Sequence, residues 1–187
     1  MKQTAFGEDN GRISPREQLL RGVIDAIAQT MDLYGANYSF GQLYGIMFFE
    51  DKPMTLEEMK QVMNMSKSNM SYGVRALMSS RMVTKLEEKR ERKELYVAET
   101  DFFQAFRNFF TLKLQREIDV MQEAVGLAVP ELQALADAED TPEEEREACL
   151  RDLDKLKHAA EYYVWLQQFV LGLAEGAVFA SGLPDSE

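Results

Sequence analysis

From Ser66 to Arg75 the chain reads Ser-Lys-Ser-Asn-Met-Ser-Tyr-Gly-Val-Arg. On a helix, this run turns Ser66, Lys67, Ser68, Asn69, Ser71, Tyr72 and Arg75 outward, away from Met70 and Val74. Short hydroxyls, an amide and two cations suit hydrogen bonding to base edges and phosphates, and Tyr72 can meet a sugar or a thymine methyl. Carboxylates are favoured in the first turn of a helix, yet this start has none. Its free backbone amides and positive dipole end are therefore open to an anion. A second cluster, Lys89-Arg90-Glu91-Arg92-Lys93, packs four cations into five residues. At the tip of a hairpin, Lys89, Arg90, Arg92 and Lys93 would suit the minor groove of a duplex.

Other chemistry has little to draw on. His158 and Cys149 are the single histidine and the single cysteine, and no glycine-rich phosphate loop is present. A metal site, an activated nucleophile and an internal disulfide all need more than this. The reading is therefore of a protein that is not an enzyme, with no metal and no cofactor, and with His158 and Cys149 as helix-packing residues. A single cysteine and an amino terminus without a long apolar stretch point to a reducing cytoplasm. Tyr162 to Leu173 is broken by Gln167 and Gln168 and is too short to span a bilayer.

The formal charge of -11 looks hostile to nucleic acid until it is divided along the chain. Residues 1–50 carry four basic and six acidic side chains, 51–97 carry ten and seven, and 98–187 carry seven and nineteen. From Met59 to Leu86 there is no acidic residue, while Lys60, Lys67, Arg75, Arg81 and Lys85 are basic. That window can approach a phosphate backbone without repulsion.

The elements that would position these groups follow from caps and periodicity. Residues 1–13 are polar and are expected to be disordered, and Ser14-Pro15-Arg16-Glu17 starts a helix that runs to Tyr34. A buried apolar helix is expected from Ser39 to Glu50. Thr55-Leu56-Glu57-Glu58 opens a short helix with Leu56, Met59, Val62 and Met63 inward, Asn64 turns the chain, and Ser66 caps a helix from Lys67 to Ser80. Met82 to Leu86 alternates as a strand, Glu87 to Lys93 forms the hairpin tip, and Leu95 to Val97 returns. Helix, turn, helix and two-stranded wing is the resulting order over residues 14–99.

Residues 100–187 read as a helical linker and dimerisation region. Thr100 is expected to cap a helix carrying Phe102, Phe103, Phe106, Phe109, Phe110, Leu114, Ile118 and Met121, which ends near Gly126 or Pro130. A short helix from Pro130 to Ala138 and a third capping box at Thr141-Pro142-Glu143-Glu144 follow. In the last helix Cys149, Leu153, Leu156, Ala160, Tyr163, Gln167, Val170, Ala174 and Ala177 repeat at spacings of four and three. Leu150, Val164, Leu171 and Val178 widen that stripe, which packs either against the preceding helix or against a second copy of the chain.

Several linked blocks are more specific than periodicity. Gly41-Gln42-Leu43-Tyr44-Gly45-Ile46-Met47, Lys52-Pro53-Met54-Thr55-Leu56-Glu57-Glu58-Met59, Met65-Ser66-Lys67-Ser68-Asn69-Met70-Ser71 and Arg92-Lys93-Glu94-Leu95-Tyr96 together resemble the GbsR-type branch of the MarR superfamily. The resemblance spans about residues 18 to 110. It implies a homodimeric winged-helix repressor on a double-stranded DNA operator, and a choline-like quaternary amine as inducer controlling osmoprotectant uptake or synthesis. Aromatic side chains hold choline in that family, and here Tyr34, Tyr38, Phe40, Tyr44, Phe102, Phe103 and Phe106 supply rings. The wing departs from the family pattern, with Glu87 and Arg90 where an aromatic and a glycine are expected.

The fold expected is mainly α with a small β-wing: a winged helix-turn-helix plus a helical dimerisation region. The competing reading is a helical protein-interaction adaptor in which the winged domain is only a scaffold.

Overall fold

The computed structural model describes residues 14–50 and 52–177. Residues 1–13, and Val178 and Ala180 of the expected last helix, lie outside the described residues. The order is α1 (Pro15–Leu33), α2 (Tyr38–Phe49), α3 (Leu56–Met63), α4 (Lys67–Ser79), β1 (Val83–Arg90), β2 (Lys93–Ala98), α5 (Phe102–Asp137) and α6 (Glu143–Ala174). The chain divides into two compact units, residues 1–108 and 109–187. Among the described residues no helix is long and apolar enough to cross a membrane.

The first unit is a winged helix-turn-helix. Ser14 accepts from the Glu17 amide at 3.1 Å, Asn37 accepts from the Ser39 amide at 2.9 Å, and Thr55 with Glu58 forms a reciprocal capping box. Asn64, in the left-handed region at φ 49°, turns α3 into α4. α2 is so apolar because it is the central element, packed by α1, α4 and β2. It meets α1 at very short range, since a Cβ on Gly41 would lie 2.7 Å from Ala28 Cα. Leu43, Tyr44, Met47, Met54, Met59, Met70, Val74, Leu77, Val83, Leu95 and Tyr96 form the buried interior.

The wing differs from its sequence expectation. β1 continues to Arg90 instead of ending at Leu86, so the turn shrinks to Glu91 and Arg92, both left-handed at φ 51° and 66°. Two positive φ values match the right-handed twist of the flanking strands, which makes so tight a connection possible. The ladder pairs Lys85 with Tyr96 and Lys89 with Glu94, and the register shifts between them, as a bulge requires. Met54 adds a bridge to the other edge of β2, exchanging backbone hydrogen bonds of 2.8 and 2.9 Å with Tyr96.

The second unit is an antiparallel hairpin of α5 and α6. Ile118 packs with Tyr163, Leu166 and Val170, flanked by Leu114 and Met121. Gln115 and Gln167 exchange side-chain hydrogen bonds at 3.0 and 2.9 Å. Near the connection, Arg146 donates to the carbonyls of Ala136, Ala138 and Thr141, satisfying the open end of α5.

Four expectations are corrected here. α5 runs without a break through Gly126 and Pro130, so there is no separate helix from Pro130 to Ala138. Pro130 forgoes the helical hydrogen bond to the carbonyl four residues back, that of Gly126, and both residues are exposed, so water can satisfy that carbonyl. Asp101 caps α5 in place of Thr100, accepting from the Phe103 amide at 2.8 Å. Thr141 forms no capping box, because its hydroxyl donates to the Leu135 carbonyl at 2.7 Å and α6 starts after an uncapped Pro142. His158 is not a packing residue: its side chain is 85% exposed and lies 4.0 Å from Glu161. Cys149 is buried.

Candidate nucleic-acid interface

The start of α4 is built as a polar, acid-free helix end. Ser66 caps it by accepting from the Asn69 amide at 3.3 Å, and no acidic residue stands in the first turn. Ser66, Lys67, Ser68, Asn69, Tyr72 and Arg75 are exposed, while Ser71 is half-buried. The opposite face buries Met70, Gly73, Val74 and Leu77, which fixes the outward direction of the polar set. Gly73 lies under the Phe40 ring, where a Cβ would come within 2.8 Å, and Phe40 meets Tyr72 edge-on at 5.6 Å. Phe40 of α2 thus helps to seat α4. Neither Lys67 nor Arg75 has an ion-pair partner among the described residues.

The wing contributes a second set with a different character. Lys89, Arg92 and Lys93 are exposed and form no ion pair among the described residues. Arg90 is exposed yet spends its donors on the chain itself, with Nη1 donating to Glu58 Oε1 at 2.8 Å and Nη2 to the Pro53 carbonyl at 2.9 Å. Glu58 in turn accepts from the Thr55 amide and hydroxyl at 2.7 and 2.9 Å. Partial burial pushes the Glu58 carboxyl upward, but the Thr55 hydrogen bonds and the Arg90 charge outweigh it and hold the group below its ordinary range. Lys85 pairs with Glu94, and that contact, with the Tyr96 hydroxyl, lowers the Glu94 carboxyl likewise.

One cation of each set lines a common cleft. A cavity of about 250 Å³ is lined by Thr55, Leu56 and Glu57 from the start of α3, Lys67 from the start of α4, and Lys93 and Glu94 from the wing. Lys67 and Lys93, far apart in sequence, thus face a common space.

The seven rings expected around a ligand stand in different surroundings. Tyr38 donates to Asp25 Oδ1 at 3.3 Å, Phe40 covers Gly73, and Phe102 stacks on Phe48 at 4.8 Å. Tyr44 is 1% exposed and its hydroxyl donates to the Glu99 carbonyl at 2.7 Å, so it belongs to the core. Tyr34, Phe103 and Phe106 are about half exposed.

Comparison with known proteins places this architecture. Residues 102–180 match the profile described as the C-terminal helical hairpin of GbsR family transcriptional regulators. The HTH-type transcriptional repressor GbsR of Bacillus subtilis (strain 168) is 40% identical over 172 residues, covering 92% of this chain and 95% of its own. This chain belongs to the GbsR family of transcriptional regulators. The HTH-type transcriptional repressor OpcR of the same strain is 30% identical and covers 79% of this chain and 80% of its own. A solved structure described as a transcriptional regulator aligns over 80% of this chain and 97% of its own, with 18% identity and a TM-score of 0.47.

Within this GbsR-family chain, sequence reasoning missed Glu58 and Pro53 as partners of the wing. Glu58 was legible only as the closing residue of a capping box, and nothing in the local pattern says that its second oxygen faces Arg90, thirty-two positions away.

Proposed function

We propose that this chain is a DNA-binding transcriptional repressor that sets α4 in the major groove of a double-stranded operator and the wing against the flanking minor groove. One observation carries the reading. The acid-free start of α4 and the wing present Lys67 and Lys93 to the same cleft, where Glu57 and Glu94 are each paired with another lysine, Lys60 and Lys85. Ser66, Ser68, Asn69, Ser71 and Tyr72 supply short polar contacts, Lys67 and Arg75 reach phosphate or guanine, and Lys89, Arg92 and Lys93 follow the backbone beside the minor groove. The repressor names of the two Bacillus relatives agree with this assignment.

The operating species is a homodimer joined through α6. The helix buries Cys149, Tyr163, Leu166, Val170 and Leu173, yet leaves Tyr162, Trp165 and Phe169 exposed on an adjoining flank. Trp165 lies 5.9 Å from Tyr162 and stacks on Phe169 at 6.0 Å, forming an aromatic row that a second copy can cover. Operator half-sites would then lie about one helical turn apart or a multiple of it.

A quaternary amine of the choline class is the proposed inducer, controlling genes of osmoprotectant uptake or synthesis. The support is the family resemblance and the half-exposed rings of Tyr34, Phe102, Phe103 and Phe106. Calorimetric titration with choline, glycine betaine and carnitine tests it, and no binding below about millimolar ends the inducer reading alone. Gel-shift titration of the chain against the DNA upstream of its own gene tests the DNA reading. Salt-sensitive retardation at submicromolar protein is expected, and the helical adaptor reading gains if no duplex is retarded.

A further inference from the structure

We infer that Arg90 is the positioning residue that latches the wing onto the helix-turn-helix, and not one of the cations that contact DNA. The inference rests on the DNA-binding reading above and assigns a different task to one of the residues expected to contact DNA.

The geometry is specific to a latch. Arg90 is the last residue of β1, beside the two-residue turn, where a two-stranded ribbon is least held by its own ladder. Its guanidinium reaches two acceptors on the preceding segment, the Glu58 carboxylate and the Pro53 carbonyl, at 2.8 and 2.9 Å. Glu58 is itself fixed, since its other oxygen accepts from both the Thr55 amide and the Thr55 hydroxyl. Thr55 and Glu58 form the first turn of α3, and Pro53 immediately precedes Met54, which bridges to β2 through Tyr96. One planar fork therefore ties the distal end of the wing to the helix start and to the loop. A lysine cannot reproduce the link, because a point charge lacks the paired donors in fixed orientation.

The consequence for DNA binding is indirect. Lys93 pairs with Arg90 across the hairpin, and Lys89 adjoins it, so whatever fixes Arg90 fixes the cations on either side of the turn. Lys67 shares the cleft with Lys93, and the latch sets the spacing between the two groove-reading elements. A wing held in advance binds with less ordering cost than one that must be immobilised on the duplex.

The latch and a direct phosphate contact differ in three measurable ways. Hydrogen–deuterium exchange of the wing amides is compared in the full chain and in R90A, R90K and E58Q. DNA affinity is measured for the same proteins over a range of salt, using the duplex enriched by the wild-type chain from a random library. A latch predicts faster exchange across residues 85–94 in all three variants. It also predicts affinity lower by about three- to fivefold in each, the scale of a partly exposed ion pair, with an unchanged slope of log affinity against log salt. E58Q is the most pointed variant, since removing a negative charge near DNA would by itself tighten binding. A salt slope reduced by about one in R90A but kept in R90K, with wing exchange unchanged, would identify Arg90 as a phosphate contact and overturn the latch. Tighter binding by E58Q would overturn it as well. If the wild-type chain enriches no duplex, the DNA reading fails, and the exchange comparison still decides whether Arg90 holds the wing.

Discussion

Replacing Gly41 with alanine should destabilise the first unit, although alanine is the better helix former. A Cβ at this position would stand 2.7 Å from Ala28 Cα and 3.3 Å from both the Ala28 Cβ and its carbonyl oxygen. Carbon atoms settle at roughly 3.5–4.0 Å, so the added methyl falls about 0.8 Å short of ordinary contact. The nearest atom is backbone in the middle of α1, and Ala28 is 0% exposed, so no side-chain rotation relieves the clash. Overpacking a core by a methyl costs about 1–3 kcal/mol. Helix propensity returns about 0.5–1 kcal/mol on going from glycine to alanine. The net expectation is a loss of about 1–2 kcal/mol, or on the order of 5 °C in Tm. Gly22 in α1 is the internal control, because a Cβ there meets nothing within 4 Å. Gly22→Ala should stabilise by about 0.5–1 kcal/mol. Urea unfolding followed by circular dichroism at 222 nm (a helix band) gives both numbers on the same scale. Equal stabilisation by the two substitutions would show that α1 and α2 are not in the close contact described, and the packing argument would fall.

Lys67→Ala and Arg75→Ala should each weaken operator binding and reduce its salt slope by about one, with unchanged helical circular dichroism, as measured by fluorescence anisotropy. Arg92→Gly should raise the Tm by relieving a left-handed non-glycine residue at φ 66°, and should at the same time lower DNA affinity by removing an exposed cation. A melting curve and a binding curve on one preparation check these opposed signs. Trp165→Glu should give monomers in light-scattering chromatography while leaving the hairpin interior of Ile118, Tyr163, Leu166 and Val170 intact. Burial, together with the Glu94 carboxylate that accepts its hydroxyl, pushes Tyr96 from an ordinary 10.0 up to about 12. The folded state thus holds Tyr96 neutral where the unfolded chain would ionise it. The stability contributed is complete below pH 10 and lost as pH rises toward 12, and Tyr96→Phe should flatten that decline in chemical denaturation at alkaline pH.

Local chemistry alone determined the starts of α1, α3 and α4, because Ser14, Thr55 and Ser66 each cap their helix through contacts within three residues. The outward set on α4 was equally legible, since a helical period assigns faces as soon as Met70, Val74 and Leu77 are known to be apolar. The apolar stripe on α6 was legible only in part. Leu166 and Leu173, which the spacing of four and three did not place in it, go inward, while Val164 and Leu171, which widened it, stay exposed; Leu166 is drawn in because it packs with Ile118 of α5. α5 runs on through Pro130, where a proline favours a break, and Arg146 closes its end by donating to the Ala136 and Ala138 carbonyls. Contacts between distant elements turned Arg90, indistinguishable from its neighbours in a run of cations, toward Glu58 and Pro53. Caps and periods are readable because their partners lie within one turn of chain, whereas the partner of a long charged side chain is chosen only when distant elements come together.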